Sequence, residues 1–334
     1  MLPTIGLFLG DPSGIGAEIV VKMLDQLDNE PTVNILVIGD HAVFQQGGKI
    51  AKCSISLPIF QDADAVTFAD SHLAFLHAPI DQPDQVKLGE VSQASGETVL
   101  ETLKFAVSLA KAGQIDAICF APLNKQSMHL AGSPYEDDLQ FLAAQFEVKN
   151  LCRELNVLDD LWTARVTSHI PLKAVSDHLT VDSVYDIIDF THHQLRKAGF
   201  AQQRIAVAAL NPHAGEGGLF GREEIDVIQP AVAKAQDHDI DAEGPFPADT
   251  VFLKAQTGVY DAIVTMYHDQ GQIAMKLMGF DRGVTVHGGL PIPITTPAHG
   301  TAFDIVGQGI ANIEPMRLAF NIAVQMSQSK QAKS

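Results

Sequence analysis

The chain has 334 residues, with 22 Lys and Arg against 40 Asp and Glu, giving a formal net charge of −18, and it contains 13 His and 3 Cys. This length, with 46% hydrophobic residues, predicts about two globular domains with room for buried cores. The acid excess leaves no basic footprint for nucleic acid or an anionic membrane surface, and no apolar run nears the roughly 20 residues of a spanning helix.

The opening stretch MLPTIGLFLGDPSG lacks a basic region and a small-residue cleavage site, which predicts no secretory signal and a cytoplasmic protein. Apolar, β-branched runs at Ile5–Leu9, Val33–Ile38, Ala117–Phe120, Ala164–Thr167, Ile205–Leu210 and Ala262–Met266 predict strands. Helical periodicity lies between several of them. It predicts helices over Gly96–Ala112 with Ser95 as N-cap, over Val181–Ala198 closed by Gly199, and over Ile225–Gln236 behind the acidic pair Glu223-Glu224. The polar stretch from Ser327 to Ser334 reads as a frayed end. Cys53, Cys119 and Cys152, odd in number and widely spaced among apolar residues, read as buried reduced thiols. Strand–helix alternation along the whole length predicts an α/β protein with a largely parallel core sheet.

Sites of parallel α/β sheets gather beyond the carboxyl ends of the strands, so the residues after each run carry the functional reading. Gly10-Asp11-Pro12-Ser13-Gly14-Ile15-Gly16 follows the first run. It is neither a dinucleotide fingerprint nor a Walker A loop, and it reads equally as a tight strand-to-helix turn or an anion-facing helix start. In the second half, three strand ends each deliver a histidine: His169, His213 and His268. Three imidazoles with an open position suit a catalytic divalent transition metal. Glycines 215, 217, 218 and 221 either bring backbone near a ligand or shape the loop after His213. No Ser-His-Asp order or reactive-cysteine context stands out, which argues against covalent catalysis.

These segments resemble the 4-hydroxythreonine-4-phosphate dehydrogenase family over nearly the whole chain. The most specific pieces are Asn211-Pro212-His213-Ala214-Gly215-Glu216, Pro247-Ala248-Asp249-Thr250 and Met266-Tyr267-His268-Asp269-Gln270-Gly271. The resemblance implies a two-domain α/β/α fold like that of isocitrate and isopropylmalate dehydrogenases. An outer domain of residues 1–127 plus 297–334 would carry both termini, and a middle domain of residues 128–296 would hold the metal ligands and the dimer interface. It implies a divalent metal on His169, His213 and His268, zinc first with magnesium, manganese or cobalt as alternatives, and a homodimer with the site at the interface. Asp249 would reach the partner's site and Lys276 would contact substrate. The segment His299–Gly309 resembles an adenosine-binding loop, implying NAD or NADP held by His299, Gly300, Thr301, Asp304 and Gly307.

The chain departs from that family where substrate phosphate is held. The stretch Ser133-Pro134-Tyr135-Glu136-Asp137-Asp138-Leu139 replaces a Gly-His-Thr-Glu segment, while Thr285 and Ile294 stand at the positions of an Asn and an Arg. Carboxylates there repel a phosphate dianion and the loss of an Arg removes a bidentate donor, so Glu136, Asp137, Thr285 and Ile294 predict another hydroxy acid or a diol as substrate. The implied chemistry is NAD-dependent oxidation of a secondary alcohol, with decarboxylation where the product is a β-keto acid. Lys276 is read as holding a substrate anion or relaying a proton, and Asp269 as positioning His268. Asp249 and Lys125 are further candidates for the general base. Dihydrodiol and sugar-acid dehydrogenases of the same family are alternatives; a metal-dependent hydrolase and a silent binding protein compete from other classes.

Overall fold

The computed structural model describes residues 2–27, 32–69 and 71–331. In chain order the elements are β1 (Thr4–Phe8), α1 (Gly16–Asp25), β2 (Asn34–Gly39), α2 (His41–Ala51), β3 (Ile59–Phe60), β4 (Leu73–His77), α3 (Gln93–Lys111), β5 (Ala117–Phe120), α4 (Lys125–Leu130) and α5 (Asp138–Gln145). There follow β6 (Arg153–Leu158), β7 (Leu161–Arg165), α6 (Val175–His178), α7 (Val181–Lys197), β8 (Ile205–Ala208), α8 (Gln229–Asp237), β9 (Ala242–Phe246), α9 (Ala248–Ala255), β10 (Ala262–Thr265) and α10 (His268–Gly279). The chain closes with β11 (Val284–Gly288), β12 (Ile294–Pro297) and α11 (Glu314–Gln331).

Two compact units result, one of Met1–Cys152 with Val284–Ser334 and one of Arg153–Gly283. The second is shorter at both ends than a 128–296 domain. The reason is packing: Met128, Leu139 and Leu142 from α4 and α5, with Leu290, Ile292 and Ile294, join the apolar core around Phe8, Ile38, Leu103 and Phe120. Strands of the first unit run in the order β3-β4-β2-β1-β5-β12-β11. All observed pairs there are parallel except β11 against β12. Those of the second run β6-β7-β10-β8-β9, parallel except β6 against β7. Every residue of β5, β8 and β10 is buried, as expected for parallel strands covered on both faces. The second unit has its own core of Leu158, Leu161, Val251, Phe252, Ile263 and Met275.

Four local readings are corrected. Helix α3 starts earlier than its periodicity suggests: Ser92 is the N-cap, accepting from the Ser95 N–H at 3.1 Å, and Ser95 lies inside the first turn. Gly96 obscures that turn in the sequence, yet any Cβ there would collide with the Ser127 carbonyl. The helix after Glu223 opens as a π-turn over Glu224–Ile228, because Pro230 in the first turn of α8 has no N–H to donate. The C-terminal stretch is helical through Gln331 with Ser327 buried, and residues 332–334 of the frayed-end reading lie outside the described residues. Only Cys119 is fully buried, its thiol pushed up to about 12 by desolvation, whereas Cys53 and Cys152 are half-buried. Among the described residues no helix is long and apolar enough to cross a membrane.

Candidate metal centre and cofactor loop

In the second unit, β7, β10 and β8 are adjacent and parallel, so the loops after them leave the same edge of that sheet. His169, His268 and His213 sit on those loops or, for His268, at the first residue of α10. The loop after β7 is tied to the end of β10: the N–H groups of Val166 and Thr167 donate to the carbonyls of Thr265 and Met266 at 2.9 and 3.1 Å. The Thr167 hydroxyl adds a bond to the Met266 carbonyl at 2.8 Å. Buried Arg165 then donates from Nε to Ser168 Oγ at 2.9 Å, beside His169. The imidazoles of His169 and His268 end 5.9 Å apart between ring centroids. His268 Nδ1 and Asp269 Oδ1 are 2.7 Å apart, a bond that orients the ring and turns Nε2 the other way.

His213 is held by different means. Glu224, buried at the start of the π-turn, accepts the N–H groups of Leu210 and Asn211 on Oε1 at 2.9 and 2.7 Å and Asn211 Nδ2 on Oε2 at 3.0 Å. Beyond this anchor the backbone runs through five successive left-handed residues, His213 to Gly217, with φ between 44° and 78°. Non-glycine residues pay of order 1–2 kcal/mol each for that conformation. Gly215 is required there, since a Cβ would meet Glu224 Oε2 at 2.6 Å. Gln270 links the two strand ends, accepting the Met266 N–H on Oε1 and donating from Nε2 to the Ala209 carbonyl, both at 2.7 Å. His213 itself is exposed, its ring 6.3 Å from that of Phe220. The structure therefore brings His169 and His268 into ring contact and puts His213 on the neighbouring loop. The imidazoles of His169 and His268 are accessible and one is buttressed by a carboxylate, a donor chemistry that suits a borderline divalent cation, but among the described residues the three histidines do not stand within ligating distance of one another as a group. Lys276 is exposed two turns along α10, and Asp249 is exposed in the first turn of α9.

In the first unit, the residues read as a substrate clamp separate into distinct roles. Glu136 is exposed, and Asp137 caps α5 by accepting the Gln140 N–H at 2.8 Å. Asp138 is buried and lies 3.1 Å from His287 Nε2. Burial pushes the Asp138 carboxyl up, but the neighbouring charges of His287 and Lys125 and the bond to His287 outweigh it, holding the group below its ordinary value. Thr285 is nearly buried on β11, and Ile294 is core, paired with Ile118 across β12 and β5. His287, buried beside Asp138, is the polar core residue that sequence reasoning did not single out. Its signal was the short run Val284–Gly288, which is a strand. Of the candidate cofactor residues, Gly300, Asp304 and Gly307 are exposed, His299 is half-buried and Thr301 is buried. A Cβ on Gly300 or Gly307 would meet no heavy atom within 4 Å, so backbone there is open to a ligand. The turn at Gly10–Gly16 is braced by its own residues and by the start of α3. Asp11 is buried in it and accepts the Ser13 N–H at 2.8 Å and the Ser95 hydroxyl, and desolvation pushes its carboxyl pKa up.

Residues 31–323 match the family model described as pyridoxal phosphate biosynthetic protein PdxA. The chain belongs to the PdxA family. A Pseudomonas aeruginosa protein provisionally named 4-hydroxythreonine-4-phosphate dehydrogenase 2 is 48% identical over 332 residues, 98% of each chain. A Salmonella typhimurium PdxA relative, named D-threonate 4-phosphate dehydrogenase, is 38% identical over 97% of this chain and 99% of its own. Among solved structures, a 4-hydroxythreonine-4-phosphate dehydrogenase from Klebsiella pneumoniae superposes with a TM-score of 0.84 at 35% identity, covering 98% of this chain and 99% of that one.

Proposed function

We propose that this PdxA-family chain oxidises the secondary alcohol of a small hydroxy acid, using a divalent metal on His169, His213 and His268 and NAD at the 299–309 loop. The observation carrying the reading is the delivery of three accessible histidines to one edge of a parallel sheet, in a chain whose full-length relatives are named dehydrogenases. A divalent cation held by these histidines, zinc by donor preference, would supply Lewis acidity to the substrate hydroxyl, and NAD held at the 299–309 loop would supply the hydride acceptor. Asp269 orients the His268 ring. Lys276 holds a substrate anion or carries a proton, and Asp249 is a second candidate to take the hydroxyl proton. Where the ketone formed is a β-keto acid, loss of CO₂ follows. The 299–309 segment contains Asp304 and no Lys or Arg, which favours NAD over a 2′-phosphorylated cofactor.

Ile294, buried in the core where the resemblance expects an Arg, supplies no bidentate donor for a phosphate and favours a substrate without a terminal phosphate. A homodimer is supported by the apolar side chains that the second unit exposes on the loop after His213 and on α10: Leu219 at 73%, Ile273 at 60% and Leu277 at 84%. Three free cysteines are in keeping with a reducing cytoplasm. The test is NADH formation from a panel of hydroxy acids, each with and without phosphate, on metal-depleted enzyme resupplied with Zn²⁺, Mg²⁺ or Mn²⁺. We expect turnover only with metal and NAD⁺, and preference for unphosphorylated acids. Hydrolytic product without NAD⁺, or kcat/KM of about 10⁴ M⁻¹s⁻¹ or more for 4-hydroxythreonine-4-phosphate, overturns the reaction or the substrate reading respectively.

A further inference from the structure

Helix α1 has no side-chain cap at Ile15, and its first two turns are occupied by the segment that follows β12. The Ile15 N–H donates to the Thr301 carbonyl at 3.2 Å, and Gly14 lies so close to Thr301 that a Cβ would come within 2.9 Å of the Thr301 Cβ. Eight residues beyond Thr301 the same segment is gripped again. Glu18, 2% exposed, accepts on Oε1 the Ala311 N–H at 2.9 Å and the Lys22 ammonium at 2.7 Å. Lys22 Nζ also donates to the carbonyls of Gly309 at 2.9 Å and Ala311 at 3.2 Å. An ammonium has three N–H donors, and these partners account for all three. Between the two grips the chain is open: Asp304, Gly307 and Gln308 are exposed, and Ala302, Gly307 and Gly309 all have positive φ.

A loop of this kind, strained in backbone and exposed at its crest, keeps one shape only if its ends are fixed. We propose that Glu18 and Lys22 are positioning residues for the cofactor loop, holding residues 302–308 in the form that binds the nucleotide. The inference rests on the reading of that loop as the NAD site. The pair lies on the helix side of the loop and spends its hydrogen bonds on backbone, so it acts on the cofactor through the loop. Losing it lowers the fraction of molecules with a competent loop, and apparent affinity falls in proportion.

The test is NADH binding by fluorescence titration to full-length Lys22→Met and to the double variant Glu18→Gln with Lys22→Met, which removes both charges together and guards against misfolding from a lone buried carboxylate. Asp304→Ala, on the crest, serves as the control for the loop assignment. The expected result is a roughly ten-fold weaker NADH affinity and higher KM for NAD⁺ in the clasp variants, a competent fraction of about one in ten, with kcat, metal stoichiometry and hydroxy-acid KM within two-fold of the parent. Unchanged NADH affinity in folded clasp variants, while Asp304→Ala weakens binding, overturns the positioning role alone. If Asp304→Ala is also silent, the loop assignment fails and takes the inference with it.

Discussion

The two units build their functional segments by opposite means. In the second, the histidines stand on short loops directly after buried strands, and accessible side chains are held by a few bonds to strand-end carbonyls. In the first, the long segment after β12 has no strand beneath its crest and is held at its ends by α1. A strand edge preorganises side chains because the sheet fixes where each loop begins. A long loop needs its own clasp, and that clasp must be buried and charge-matched to outlast competition from water.

The sharpest way to break this contrast is chelation. Metal depletion is expected to abolish turnover while NADH affinity, which we assign to the first unit's loop, stays within two-fold, as fluorescence titration would read. Loss of NADH binding on chelation would mean the two functions are not separately housed. Next in size is Asp138→Ala. It removes the buried carboxylate that pairs with His287 and is expected to cost about 1–3 kcal/mol of unfolding free energy in urea melts. The pH dependence has a definite sign. Because the folded Asp138 carboxyl lies below its ordinary value, the pair's contribution is full above the ordinary carboxylate range and is lost as pH falls through the folded value. Asp138→Asn should therefore flatten the acid limb of stability, and an unchanged limb would show that the pair carries no such linkage.

Smaller still, Glu224→Ala leaves the buried N–H groups of Leu210 and Asn211 without their acceptor and slackens the turn bearing His213. Metal affinity is expected to drop about 10–100-fold by competition titration, as for other supports of metal ligands, with Glu224→Gln in between. Metal affinity equal to the parent's would show that the left-handed turn holds itself. The mildest change is Ser92→Ala. Removing the α3 cap should cost about 1 kcal/mol in thermal melts and leave metal and NADH binding alone. A larger loss from removing the Ser95 hydroxyl would be no contradiction, since that group bonds Asp11 in the core.

The second unit's edge was legible in the sequence because buried parallel strands write themselves as apolar runs, and the residue after the run then stands at that edge of the sheet. Even the offset at β7, which spans Leu161–Arg165 where the run suggests Ala164–Thr167, leaves His169 just past the strand. The clasp was not legible. Glu18 and Lys22 look like an ordinary i,i+4 surface pair on a helix, and only the return of residues 309–311, nearly 300 positions later, gives them a partner. His287 was missed for a related reason: β11 is a short β-branched strand paired antiparallel with β12, and the Asp138 that meets His287 comes from a helix start far away in the chain. Long-range polar partners have no periodicity to betray them.

The central claim is that His169, His213 and His268 together hold one divalent cation, and elemental analysis of metal per chain in His213→Ala tests it most directly. The account predicts about one equivalent in the parent and near none in the variant, with the parent's circular dichroism spectrum retained because His213 is exposed. Full metal content in folded His213→Ala would contradict it.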